Sequence, residues 1–91
     1  MNLAIEHLPE HGRFEVVVDG QTCEADYRLS NGVMTITHTG VPAPLGGRGI
    51  AAALMQAAFE HARSAGLKVR PLCSYADAWL RRHPEFAALR A

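Results

Sequence analysis

Leu45-Gly46-Gly47-Arg48-Gly49-Ile50-Ala51 is the stretch on which the reading of this chain turns. Just before it, Val41-Pro42-Ala43-Pro44 closes a run of strand-like sequence, and just after it begins the one long helical pattern in the chain. Glycine opens positive φ to the backbone, so N–H groups can turn toward a common point. A helix N-terminus adds partial positive charge at that same point. The chemistry suits a phosphate or pyrophosphate.

Upstream, residues 33–39 alternate, with Met34, Ile36 and His38 on one face and Thr35, Thr37 and Thr39 on the other. Asn31-Gly32 and Asp19-Gly20 are dipeptides suited to tight hairpin turns. Between them Cys23, Ala25, Tyr27 and Leu29 alternate with Glu24, Asp26 and Arg28. Phe14, Val16 and Val18 form an earlier strand, and Leu3, Ile5 and His7 a weaker first one ended by Pro9-Glu10-His11-Gly12. Four strands in hairpin succession make an antiparallel meander with one buried face.

Downstream, Ile50, Ala51, Leu54, Met55, Ala58, Ala62 and Ala65 share one side of a helix of about 18 residues, which Gly66 ends. Residues 67–73 read as a fifth strand, with Pro71 near its end. Strand, helix and strand form a crossover unit, so the fourth and fifth strands run parallel. Ser74 is placed as the N-cap, with Asp77 three residues on, of a short helix through Tyr75, Ala78, Trp79 and Leu80 that stops before Pro84. The tail from Glu85 adds a further turn. The fold class is α+β, a mixed sheet covered by helices, expected as a single domain over residues 1–91.

Nine basic and nine acidic residues cancel in a chain of 91, and 48% of residues are hydrophobic. That balance describes a globular protein and argues against a nucleic-acid partner, which calls for a basic excess. The longest apolar patch, residues 50–58, is interrupted by Gln56 and is too short to span a bilayer. Cys23 and Cys73 form no CxxC pair and so imply no metal site. No leader-like segment is read at the start, so the expectation is a cytoplasmic protein with reduced thiols.

Gly47-Arg48-Gly49-Ile50-Ala51-Ala52 also satisfies G-x-G-x-x-A, the dinucleotide fingerprint. That fingerprint belongs to the first strand of a parallel sheet and needs an acid about 20 residues on. Here a meander precedes it and Arg70-Pro71 stands where the acid is required. A Walker loop fails for want of Gly-Lys-Ser/Thr.

The loop instead resembles the acyl-CoA loop of the GNAT superfamily of N-acetyltransferases, Q/R-x-x-G-x-G/A, set between a fourth strand and a long helix. Gly49 and Ala51 match; Gly46 stands where the pattern has Gln or Arg. Thr37-His38-Thr39-Gly40-Val41-Pro42, Gly66-Leu67-Lys68-Val69, Pro71-Leu72-Cys73-Ser74-Tyr75 and Arg82-His83-Pro84-Glu85-Phe86 extend the likeness to the very short YjdJ-type branch, over nearly the whole chain. The resemblance implies a minimal GNAT-like fold that takes acetyl-CoA or CoA and transfers an acetyl group to an amine. It also implies an acceptor side left open, because this branch lacks the two helices that cover it in larger relatives. A non-catalytic CoA-binding module is the alternative.

By the same resemblance the fourth and fifth strands splay to admit the pantetheine arm. His38, Thr39, Gly40 and Val41 would line that slot, with an N–H near Val41 polarising the acetyl carbonyl. Gly46, Gly47, Arg48, Gly49, Ile50 and Ala51 would take the pyrophosphate. Cys73, where the fifth strand meets the last helix, is a candidate nucleophile or proton donor to the departing CoA, or else a small core cysteine. Tyr75 is a candidate general acid, with packing over the helix as the other reading. His38, on the apolar face of its strand, is a satisfied core or rim histidine, or else a general base. Ser74 is read as a cap beside the slot, Trp79 as an anchor against the sheet or also a wall of the cofactor site, and Arg82 belongs to a basic cluster that could meet the nucleotide 3′-phosphate or else is a solvated helix end. No acid stands out as a base. The acceptor is open among protein tails, polyamines and small amines, and the assembly is a monomer or homodimer.

Overall fold

A computed structural model of the chain describes residues 3–91. Its elements are β1 (Glu6–Leu8), β2 (Arg13–Val18), β3 (Gln21–Ser30), β4 (Val33–Gly40), α1 (Ile50–Ala65), β5 (Lys68–Pro71) and α2 (Ser74–Arg81). Short 3₁₀ turns occupy Pro9–His11, Ala43–Leu45 and Pro84–Leu89. One sheet holds the strands in the order β1-β2-β3-β4-β5, antiparallel through β4 and parallel between β4 and β5. Both hairpin dipeptides turn as their sequence requires. Asp19 and Gly20 have φ of 51° and 74°, and Asn31 and Gly32 have 51° and 75°. Two consecutive positive φ values match the right-handed twist of the flanking strands.

The buried face follows from the strand alternation. Phe14, Val16 and Val18 of β2, Cys23, Ala25 and Tyr27 of β3, Met34 and Ile36 of β4, and Val69 of β5 point to one side. Against them lie Leu54, Met55, Ala58, Phe59 and Ala62 of α1, and Ala76, Trp79 and Leu80 of α2. Phe59 is the hub: its ring centroid stands 5.0 Å from Trp79 and 5.8 Å from Phe86. Both helices serve this one core. The opposite face of the sheet carries Arg13, Glu15, Glu24, Asp26 and Arg28, and β1 reaches β2 through only a 3₁₀ turn. Among the described residues no helix is long and apolar enough to cross a membrane.

Several boundaries differ from the sequence reading. β1 begins at Glu6 rather than Leu3, and α1 has 16 residues. β5 stops at Pro71, because the N–H groups of Leu72 and Cys73 both donate to the Ile36 carbonyl, at 3.0 and 3.1 Å. The chain therefore turns off the sheet two residues early. The cap of α2 likewise moves: Cys73 occupies the N-cap and its sulfur accepts from the Ala76 N–H, while Ser74 is the first helical residue.

The largest correction concerns β4. Asp26 pairs with His38 but Tyr27 pairs with Ile36, so Thr37 is an extra residue, a β-bulge. A one-residue insertion exchanges the faces of everything beyond it. His38 is thus not on the apolar face with Met34 and Ile36; its side chain is 59% exposed on the outer face. Thr39, assigned by simple alternation to the outer face, pairs instead with buried Ala25.

Candidate functional site

The glycine loop is an exposed arch between two buried anchors, Leu45 and Ile50. Gly47 has φ 80° and Gly49 φ 78°, values that disfavour any residue with a Cβ. Gly46 is different, with φ −61° and ψ 147°, an extended backbone open to most residues. Gly49 is the N-cap of α1 and supplies no capping side chain, and the first turn of the helix holds no acid. The N–H groups of residues 47–52 consequently donate to no backbone carbonyl. Helix N-termini ordinarily satisfy such donors with a Ser, Thr or Asp cap. Here six consecutive amides stay open to an anion, at the positive end of a 16-residue helix. Arg48 leans away from the arch to Asp19 in the β2–β3 turn, Nη1 to Oδ2 at 2.8 Å, which fastens the loop to the sheet.

The second part of the site is a gap. β4 and β5 pair from Val33 with Lys68 to Ile36 with Pro71 and no further. β4 continues to Gly40 on β3 alone, and residues 37–41 make no other backbone bond. The strands therefore part at the bulge, and an unpaired strand edge with free donors and acceptors faces the opening. This is the geometry needed to hold the amide groups of an extended arm such as pantetheine, by strand-like pairing.

Cys73 borders the gap from the α2 side. The Ala76 N–H points at its sulfur, 3.4 Å away, and the Thr39 hydroxyl lies 3.5 Å from it across the opening. The Ala76 N–H thus caps the sulfur, and in the contact with Thr39 either the hydroxyl or the thiol can donate. Cys73 is half-buried and free; Cys23 is free and fully buried, and burial pushes its thiol pKa up. Only Cys73 borders the gap. Leu72 and Tyr75, 66% and 37% exposed, form an apolar rim beside it. Desolvation raises the Tyr75 phenol above its ordinary value while Arg82 pulls it partly back, so the hydroxyl keeps its proton at neutral pH.

The remaining candidates divide. Ser74 is exposed at the head of α2, and Arg82 is exposed at its far end. Trp79 is a core residue. Its ring is 4% exposed, sandwiched between Phe59 and His83, whose centroid is 3.7 Å away and whose Nδ1–H donates to the Trp79 carbonyl. It has no surface left to wall a ligand. His38 stands on the outer face beside the gap, its Nε2 3.8 Å from Glu24 Oε1. Glu24 escaped the sequence reading because nothing local marks it; only the register of β3 on β4 brings it to His38. An open depression of about 520 Å³, lined by Leu8, His11, Arg13 and Glu15, lies at the β1–β2 corner and takes in neither the arch nor the gap.

Residues 13–89 match the model of the GCN5-related N-acetyltransferase family. The structure is also similar to the NMR structure of a GCN5-like protein from Staphylococcus aureus, with a TM-score of 0.78 and 32% sequence identity, over 99% of this chain and 89% of that one. Meander, helix, parallel fifth strand and closing helix recur there in the same arrangement. An arch of free amides before α1 and a gap between β4 and β5 are thus features of a chain that belongs to the GCN5-related N-acetyltransferases, a family whose fold takes acetyl-CoA.

Proposed function

We propose that the protein is an acetyl-CoA-dependent N-acetyltransferase of the short YjdJ-type branch, acting on an amine through the gap between β4 and β5. The observation that carries this reading is the run of open amides at residues 47–52 at the head of α1, the helix that links the two strands which part beyond Ile36 and Pro71. Acetyl-CoA, when bound, supplies the acetyl thioester. The arch would hold its pyrophosphate, and the free edge of residues 38–41 would pair with its pantetheine amides. An N–H near Val41 would polarise the acetyl carbonyl. Such preorganised donors lower the barrier because they need no reorganisation as charge develops.

The acceptor nitrogen must be unprotonated to attack, and His38 is placed to take its proton. Cys73 acts either as the nucleophile that first receives the acetyl group or as the donor that protonates the leaving sulfur. Tyr75 is the second candidate donor. The uncovered outer face of the sheet suits an acceptor too large to be enclosed, a protein tail or a polyamine.

Calorimetry with CoA and acetyl-CoA tests the site. Saturable heat is expected, and none at millimolar ligand would remove the reading. A free-thiol release assay with protein tails, polyamines and small amines tests transfer. Binding without turnover would assign the chain as a CoA-binding module, the reading favoured by Gly46 in place of the Gln or Arg of the loop pattern. Mass spectrometry after incubation with acetyl-CoA separates the two roles of Cys73, since only the nucleophile acquires an acetyl adduct.

A further inference from the structure

We infer that Glu24 is the positioning residue of His38, holding the ring so that Nδ1 takes the proton of the incoming amine; the inference rests on the acetyl-transfer reading. Three features of the outer sheet face lead to it. The bulge at Thr37 turns His38 outward, diagonal to Glu24, whose direct partner on β4 is Gly40. Glu24 Oε1 then faces His38 Nε2 at 3.8 Å. Gly40 makes that approach sterically free: a Cβ there would fall 2.8 Å from Glu24 Oε1 and 2.9 Å from His38 Nε2. Its backbone does not require glycine, since Gly40 is absent from the positive-φ glycines. Room for the two side chains is what its missing Cβ supplies.

The other charges on this face sharpen the assignment. Asp26 is the direct cross-strand partner of His38, but Arg13 holds its carboxylate, Nε to Oδ1 at 2.7 Å. Arg13 also reaches Glu15 at 3.7 Å. Glu15 sits directly opposite Glu24, so the two carboxylates repel and a cation beside Glu24 is favoured. Glu24 is therefore the carboxylate left to serve the imidazole. Facing Nε2, it keeps a proton on that nitrogen and leaves the Nδ1 lone pair free. Nδ1 takes one proton from the ammonium form of the acceptor, and the amine keeps the electron pair it needs to attack. The imidazolium so formed is offset by Glu24 until its proton passes to water. A separation of 3.8 Å is long for a hydrogen bond, and such contacts commonly close once substrate is bound.

Two measurements test this. In the long-range proton–nitrogen NMR spectrum of the ligand-free protein, at a pH where the ring is neutral, His38 should favour the Nε2–H tautomer beyond the ratio of a free imidazole. Glu24→Ala should release it to the mixed tautomers of a free imidazole; equal tautomer ratios in the two proteins would overturn the pairing. In thiol release with spermidine or a lysine peptide as probe, Glu24→Gln should lower kcat about tenfold, less than the roughly 10²–10⁴-fold that a general base itself supplies. CoA affinity by calorimetry should stay within about twofold. In a His38→Ala background the same change should cost nothing further, because Glu24 works only through the ring. An equal loss in both backgrounds would show a merely structural role and overturn the inference. If the wild type neither binds CoA nor releases thiol, the acetyl-transfer reading falls, and the catalytic role of Glu24 falls with it. If it turns over while the His38 tautomers ignore Glu24, only the present inference falls.

Discussion

Gly46 is where this loop departs from the pattern of its family, and the structure shows the departure to be reversible. Its φ of −61° and ψ of 147° admit any side chain. A Cβ there would meet only the Ala43 carbonyl oxygen, at 3.2 Å, which asks for a shift of a few tenths of an ångström. Replacing glycine where the backbone permits it stabilises a protein by about 0.4–1 kcal/mol through the unfolded state. The crowding against Ala43 offsets part of that gain, so Gly46→Arg should melt close to wild type. If the arch holds the pyrophosphate, the new guanidinium adds a charge-assisted contact in an exposed setting, worth on the order of 1 kcal/mol. That is roughly fivefold tighter binding of CoA.

Gly49→Ala supplies the contrast. Nothing lies within 4 Å of its added Cβ, yet φ is 78°, so the cost is backbone strain of about 1–2 kcal/mol. For a chain of this size each kcal/mol lowers the melting temperature by roughly 4–8 °C. The first amides of α1 would move with it, and CoA should bind more weakly. Calorimetry at low and at elevated salt reads both variants, and the gain from Gly46→Arg should shrink as salt rises. A folded Gly46→Arg protein that binds CoA no better, alongside a Gly49→Ala protein that binds it no worse, would refute the placement of the pyrophosphate on this arch.

Other outcomes follow from the same contacts. Cys73→Ser keeps a capping oxygen for the Ala76 N–H, so the protein should melt no lower than wild type while thiol release falls sharply; full turnover would remove Cys73 from the chemistry. Gly40→Ala presses on two flexible side-chain ends rather than on backbone, so it should leave stability nearly unchanged and separate Glu24 from His38, read as mixed His38 tautomers. Phe59→Ala empties the hub of the core and should cost about 3–5 kcal/mol in urea unfolding. His7 stacks on Phe14 at 4.1 Å and meets the Tyr27 hydroxyl at 2.6 Å. Burial first, and then His61, hold its pKa below the ordinary 6.5, with Glu10 partly opposing. The folded state therefore resists protonating His7. Its contribution is whole above about pH 6.5 and is lost as pH falls from there through the lower folded value. His7→Phe should flatten that acid-side decline in melting temperature between neutral and mildly acidic pH.

The parts of the molecule legible in the sequence are those fixed by neighbours along the chain. Asp19-Gly20 and Asn31-Gly32 announce their turns because positive φ is a property of single residues. The helix from Ile50 to Ala65 and its glycine stop show in the 3.6-residue period, and the arch shows in its glycines. What escaped depends on partners far apart in sequence. Glu24 and His38 are paired only by strand register, and Thr39 meets Cys73 only across the gap. Trp79 is the anchor that its place in the last helix suggests, but its enclosure by Phe59 and His83, which leaves no wall for a ligand, shows only in the packing.

The bulge at Thr37 explains why alternation misplaced the site while giving the fold correctly. The four residues ahead of it obey the period of two, and two of them, Met34 and Ile36, give β4 its core side chains. Beyond it the faces exchange, the pairing with β5 ends, and the strand leaves the core's service. One inserted residue thus sends Thr39 inward to Cys73, sends His38 outward to Glu24, and frees the strand edge between them. Were Thr37 paired in plain register instead of bulged, His38 would point into a core that, among the described residues, holds no buried polar group, and Thr39 would face solvent. Neither would reach its partner. A burial cost of that kind gives no reason to keep a histidine at this position in a plain strand, whereas the bulge gives it both an exposed ring and a carboxylate to hold it. Strand geometry at that one residue, more than the glycine loop, determines which side of the sheet an amine must approach.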